Sequence, residues 1–295
     1  MESLRLLRWA LALVMAGATA SPPPPPPPSG SESIAVWAPA LISSDRFESH
    51  PAFDPLTGDF YFVRSAPDFS GWRIYMSHCG PAGWTTPVDA PFVGDGVEAD
   101  PWFTRDGRTL YFISTRTTDG IHGRNLDLWR VTRDASMKWQ APERLPEPVN
   151  SSGREWFPRI AADGWLYFGS DRTGGLGKTD IWRAHEIGGK WSVENLGSAI
   201  NTPANEYEAE ISPDGKAMIV MTDDGLYESA LQDGRWQARV RLPAAINVNA
   251  TEVGALFSPS GQTLLFARDT GQEKSGEFIQ WRRGAAEDWP RACGR

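Results

Sequence analysis

No Gly-x-Ser-x-Gly elbow occurs in the 295 residues, and the four histidines, His50, His78, His122 and His185, stand alone, without a partner at helical or metal-ligand spacing. Those absences argue against elbow-type serine hydrolysis and sequence-local zinc chemistry. Clustered basic charge is missing as well. Lys and Arg total 29 against 37 Asp and Glu, a net charge of −8, and they are scattered singly among acids. A protein that tracks phosphates needs grouped cations to displace counterions, so nucleic acid is not an expected partner. Long apolar runs are also scarce. The longest, residues 9–16, falls short of the roughly 20 residues that cross a bilayer, and no membrane span is expected.

That run has a different reading. It follows a basic start containing Arg5 and Arg8 and precedes Ala18-Thr19-Ala20, the pattern of a secretory signal peptide over residues 1–20. Cleavage near Ala20 would place the protein in the periplasm or outside the cell. The residue directly after the cleavage point is Ser21 and not a cysteine, so no lipoprotein acyl anchor is expected. Loss of Glu2, Arg5 and Arg8 leaves 27 basic and 36 acidic residues, a charge of −9. Residues 21–33 carry seven consecutive prolines, Pro22 to Pro28, and read as an extended polyproline spacer.

The remainder, residues 34–295, is repetitive. Tight-turn glycines Gly58, Gly107, Gly164, Gly215 and Gly261 recur at a spacing typical of propeller blades. A glutamate stands nine or ten residues before each: Glu48, Glu98, Glu155, Glu206 and Glu252. After each turn comes an apolar, β-prone triplet such as Phe60-Tyr61-Phe62 or Leu166-Tyr167-Phe168, the signature of a central strand. A third strand follows, and a fourth opens near Trp84, Trp139, Trp191 or Trp236. Four short strands per repeat, with no helical period between them, predict an all-β, single β-propeller with blades near 48–92, 98–147, 155–200, 206–246 and 252–292. Prolines agree: Pro51, Pro101 and Pro158 fall in first strands and Pro39, Pro87 and Pro142 in fourth strands, the edges that tolerate a missing N–H.

Closure requires a strand from one terminus to complete the blade of the other. Residues 34–43, around Trp37, resemble the fourth strands yet have no blade of their own, so they are expected to close the last blade. Five blades are favoured and six are the alternative. Cys79 and Cys293 would then lie on neighbouring blades, and they are the disulfide candidates in an oxidising compartment.

The string Gly169-Ser170-Asp171-Arg172-Thr173-Gly174-Gly175-Leu176-Gly177-Lys178-Thr179-Asp180-Ile181-Trp182, the Ile211-Ser-Pro-Asp-Gly215 turn and the Ile200-Asn201-Thr202…Asn205-Glu206 lead-in resemble the WD-like repeat of TolB-type propellers. The resemblance covers most of residues 45–270. It implies a periplasmic partner of an outer-membrane lipoprotein complex, although the segment before the first repeat is too short for the α/β domain that precedes the propeller in that family.

Two readings of the repeat glutamates compete. They could ring one mouth of the channel and share a cation, with calcium the candidate cofactor and none the default. Otherwise each pairs with an arginine of the blades, the candidates being Arg64, Arg116, Arg172 and Arg268. The segment from Arg172 to Thr179 nearly spells a phosphate loop, but it leads into a strand and so lacks the helix N-terminus that seats an anion. Non-repeating acids Asp100, Glu208 and Glu210 offer the paired carboxylates of a glycoside hydrolase. Trp72, Trp102, Trp156 and Trp165 do not recur between blades, and Trp102 and Trp156 are the candidate aromatic contacts at the channel mouth. The expected function is a monomeric scaffold that binds an envelope protein or peptide, with carbohydrate binding or hydrolysis as the alternative.

Overall fold

The computed structural model describes residues 32–117, 125–270 and 276–294; the predicted signal peptide and most of the proline spacer lie outside them. Among these residues there is no α-helix, and five antiparallel sheets stand around a common axis as the blades of a propeller. The favoured count of five is the observed one. From the axis outward, blade one consists of Phe47–Phe53, Phe60–Ser65, Arg73–Ser77 and Val88–Asp89. Blade two has Glu98–Phe103, Thr109–Ser114, Asp127–Thr132 and Glu143–Arg144; blade three has Glu155–Ile160, Leu166–Ser170, Asp180–Ile187 and Lys190–Asn195. Blade four begins with Glu206–Ile211, Ala217–Thr222 and Gly225–Gln232 and ends in two fragments, Arg235–Trp236 and Val240–Arg241.

Blade five joins the two ends of the chain. Val253–Phe257, Thr263–Asp269 and Gly276–Arg282 are completed on the outside by Ser33–Trp37, paired so that Ile34 faces Trp281 and Val36 faces Ile279. The ring is therefore closed by hydrogen bonds around Trp37, as the sequence pattern requires. Outer strands are shorter than expected. Those of blades one and two hold two residues each, directly after Pro87 and Pro142, which end the ladder for want of an N–H. Trp84 and Trp139 stand ahead of these fragments, Trp84 in a separate hairpin of Cys79–Gly80 with Gly83–Trp84, and Trp139 in a lone bridge to Arg133.

The core is divided into five wedges between neighbouring blades. Central-strand triplets are buried on both faces because each sheet is packed on two sides, which explains their unbroken apolarity: Phe60, Phe62, Leu110, Phe112, Leu166 and Phe168 are all fully buried. Between blades one and two, Tyr61 and Ile74 meet Leu110, Phe112 and Trp129. Between blades five and one, Phe47, Phe60 and Phe62 meet Val253, Leu265 and Phe278, with Trp37 and Trp289 against them. The repeat glycines sit where the first strand turns into the second and all adopt left-handed backbone, φ 64–89° across Gly58, Gly107, Gly164, Gly215 and Gly261, a region that L side chains avoid. A second repeated device fastens adjoining blades. Asn150, Asn201 and Asn247 each accept from and donate to the backbone of a third strand, at Leu128, Ile181 and Leu226.

Candidate functional site

The five repeat glutamates open the innermost strands or directly precede them, but all are buried and none lines the axial cavity. Each is paired with an arginine: Glu48 with Arg64 at 2.7 Å, Glu98 with Arg116 at 2.8 Å, Glu155 with Arg172 at 2.9 Å, Glu252 with Arg268 at 3.0 Å. Glu206 takes Arg239 at 2.8 Å, because the second strand of blade four runs into Asp223-Asp224 and offers no arginine there. Three of the glutamates also accept the hydroxyl of the residue four positions earlier, Ser44, Ser151 or Thr202. Burial pushes the carboxyls of Glu48 and Glu155 up against these bonds. The set is a blade-to-loop fastener repeated five times.

Two residues beyond each glutamate lies the position that the repeat leaves free: His50, Asp100, Phe157, Glu208 and Gly254. Four inner strands slip register across this point and blade four slips one residue earlier, so that Glu208 pairs with Met221; the other four residues are left-handed, with φ of 51° at His50, 56° at Asp100, 53° at Phe157 and 65° at Gly254. A bulge bends the strand and re-aims its side chain. The re-aimed groups meet one another. His50 Nε2 lies 3.2 Å from Asp100 Oδ1 and 3.0 Å from Glu208 Oε1, while Nδ1 is 2.8 Å from Ser49 Oγ. Asp100 Oδ2 accepts the Phe157 N–H at 2.9 Å, and Glu208 Oε2 accepts the Gly254 N–H at 2.7 Å, so each acid secures the bulge of the next blade. Gly254 admits no other residue, since a Cβ there would lie 2.6 Å from the backbone nitrogen of His50.

Two residues further, Arg159 donates to Glu210 at 2.6 Å, and Glu210 also accepts the Phe257 N–H at 3.1 Å. The Arg159 guanidinium stacks 3.5 Å over the Phe157 ring. Burial weighs against charge on His50, yet Asp100 and Glu208 together outweigh it and raise the imidazole pKa. Burial likewise raises the carboxyls of Asp100 and Glu210.

His50, Asp100 and Glu208 form the floor of a cavity of ≈ 530 Å³ on the channel axis. Its walls come from first-strand starts, second-strand ends and the loops between second and third strands: Phe69, Trp72, Trp156, Tyr207, Leu126 and Met221 are among the lining residues, with Arg154, Thr179 and Asn205 as polar points. Phe69 stands edge-on to Trp72, 5.2 Å between centroids, and Trp156 lies 6.4 Å from Tyr207. The Tyr207 hydroxyl donates to Asp223, and burial together with that carboxylate pushes its pKa to about 12.

Of the two tryptophans expected at the mouth, Trp156 lines the cavity and Trp102 does not; Trp102 packs between blades two and three. Trp72 also lines it, whereas Trp165 stacks on His185 under Arg183. In the phosphate-loop look-alike the Gly177 N–H turns inward to Asp180 at 2.9 Å and is spent there. Among the described residues no group of three or more His, Cys, Asp or Glu side chains is arranged to hold a metal ion. Cys79 and Cys293 form a disulfide beside the hairpin at Gly80, Cα atoms 5.4 Å apart, away from the cavity lining. Asp100, Glu208 and Glu210 stand out in the sequence as acids outside the repeat; His50, Arg159, Phe69 and Tyr207 are the site residues it did not single out. Aligning the repeats on their glutamates and reading the second position after each would have found His50.

No helix among the described residues is long and apolar enough to cross a membrane. No family model matches the chain, and no curated protein matches it. Among solved structures, similar ones include a gluconolactonase from Xanthomonas campestris (12% identity, 86% of this chain and 90% of that one, TM-score 0.48). The periplasmic gluconolactonase of Pseudomonas aeruginosa is similar at 13% identity over 79% and 71% of the two chains, with a TM-score of 0.42. A putative TolB from Agrobacterium tumefaciens is similar at 16% identity over 67% and 85%, with a TM-score of 0.38.

Proposed function

We propose that the chain is an exported, TolB-like binding module of the cell envelope whose axial cavity receives part of a protein or peptide partner. One observation carries the reading: an aromatic-walled cavity of ≈ 530 Å³ stands over a floor whose titratable groups are all bonded to protein. Such a volume, mostly apolar with a few convergent polar groups, suits one or two peptide side chains or a small amphipathic molecule. A floor whose acids are already held by His50 and by the backbone of the next blade favours recognition, because it presents fixed acceptors to an occupant. Export rests on residues 1–20 and accords with the Cys79–Cys293 bond, since disulfides persist in oxidising compartments.

The test is cross-linking in intact cells with a tagged copy, followed by mass spectrometry. Reproducible capture of one envelope protein, lost on Trp156→Ala, supports the reading; capture unaffected by Trp72→Ala and Trp156→Ala defeats it. Carbohydrate is the second reading, favoured by the approach of Asp100 and Glu208 to one imidazole nitrogen from different blades beside Trp156. Glycan binding or cleavage that Glu208→Gln abolishes would establish it instead.

A further inference from the structure

Acids outnumber cations on the cavity floor. Asp100 and Glu208 face one imidazole, so with both acids ionised one negative charge is left over even when His50 is protonated, and the burial that raises the Asp100 carboxyl is the cost a cation there would offset. The other ion pair nearby, Arg159 with Glu210, sums to zero, so although the guanidinium is felt at His50 and Asp100 it leaves the balance of the cluster unchanged. All of these side chains are at least nine-tenths buried, where an unbalanced charge is poorly screened. A carboxylate has about four lone-pair positions. Asp100 accepts the Phe157 N–H and lies in ion-pair contact with His50 at 3.2 Å, and Glu208 bonds His50 and accepts the Gly254 N–H, which leaves both acids able to accept more. Among the described lining residues Arg154 is the single Lys or Arg; it is half exposed and its Nε is held by Asp171 at 2.8 Å. The lining includes Trp72, Trp156 and Tyr207; the Arg154 guanidinium already lies over Trp156, 5.6 Å from its centroid, which shows the ring taking a cation, and the ring bodies accept an aliphatic stem.

Resting on the reading of this cavity as a binding site, we infer that its occupant carries an ammonium or guanidinium group, set against Asp100 and Glu208, on an apolar stem that lies along Trp72 and Trp156. A lysine or arginine side chain and a free amino terminus of a partner peptide share that chemistry. A fixed aromatic amine is the simplest probe. Phenethylamine, neutral 2-phenylethanol and anionic phenylacetate are titrated into the unaltered protein, with tryptophan fluorescence and calorimetry as readouts.

Phenethylamine is expected to bind about tenfold more tightly than 2-phenylethanol, the difference made by a charge-assisted hydrogen bond, with phenylacetate weakest. Glu208→Gln should remove most of that preference while leaving 2-phenylethanol unchanged. Equal binding of amine and alcohol, or a preference for phenylacetate, overturns the inference and leaves the cavity as a binding site. Binding of none of the three, and of no peptide in a mixed library, overturns the cavity reading as well. The comparison on the unaltered protein decides the matter even if the variant does not fold. Peptides blocked in turn at the amino terminus and at lysine then separate the two sources of the amine: loss on one blocking only assigns it.

Discussion

Arg159 in blade three donates to Glu210 in blade four across 2.6 Å, with 1% and 4% of the two side chains open to solvent. Two buried charges are tolerable together and not apart. Removing one partner strands the other without water, so Arg159→Leu should destabilise the fold by about 3–5 kcal/mol. Replacing both by apolar residues of similar size should restore much of that loss, because the desolvation penalty disappears with the second charge. Urea denaturation of the two single variants and the double variant measures the coupling. Additive losses would show that the pair is not a unit.

Stability should fall as pH rises through the histidine range, while in more acid solution the lowered carboxyls of Asp68, Asp89, Asp106, Asp134, Asp214, Asp224 and Glu287 act the other way. The pKa shifts at His50, Asp100, Glu210, Glu48 and Glu155 are all upward, from burial at the carboxyls and, at His50, from Asp100 and Glu208 prevailing over burial. A raised value means that the folded chain holds its proton more tightly than the unfolded chain. That stability is fully present below the unfolded value and is lost as pH climbs through the raised one. The melting temperature should therefore decline as pH passes upward through the ordinary histidine value of about 6.5, and His50→Gln should flatten the decline. A melting temperature that climbs from mildly acidic to mildly alkaline buffer contradicts the sign.

The disulfide encloses nearly the whole ring, joining positions 214 residues apart. In the chain-entropy account so long a loop gives close to the largest effect, about 5 kcal/mol. Cys79→Ser/Cys293→Ser should lower the melting temperature by about 10–20 °C and abolish its response to reductant. Identical melting of the oxidised and reduced unaltered protein would count against a stabilising role.

Closure by the strand Ser33–Trp37 concentrates on one side chain. Trp37 stands edge-on to Phe60 at 5.1 Å and Phe53 at 5.8 Å, and tilted to Phe278 at 5.9 Å, so it belongs to blade five by hydrogen bonding and to blade one by packing. Trp37→Ala should cost about 3 kcal/mol. It should also expose the outer edge of Gly276–Arg282 and promote association through that edge, visible as higher oligomers on size exclusion. A monomeric variant of unchanged stability would refute the assignment.

Local rules made the frame readable. Each blade restates the same turn glycine and apolar triplet, because every blade solves the same problem of a sheet buried on two faces. The repetition also drew attention to Glu48, Glu98, Glu155, Glu206 and Glu252, and there it pointed to the frame and away from the cavity: what all blades share holds all blades. The floor was hidden for the converse reason. His50 and Glu208 are 158 residues apart and occupy equivalent positions with different side chains, so no motif connects them. Trp102 and Trp156 look alike in the sequence but follow their glutamates by four residues and by one, on opposite sides of the bulge, and only the second faces the axis.

The position two residues after each glutamate separates the part of this protein that must stay from the part that can vary. Gly254 is fixed by the backbone of His50, but the other four positions hold an imidazole, two acids and a phenyl ring, left-handed at His50, Asp100 and Phe157. Three codons, those of His50, Asp100 and Glu208, thus dictate the chemistry met by anything that reaches the bottom of the channel. A change of ligand demands no new architecture here; it demands a respelling of those codons.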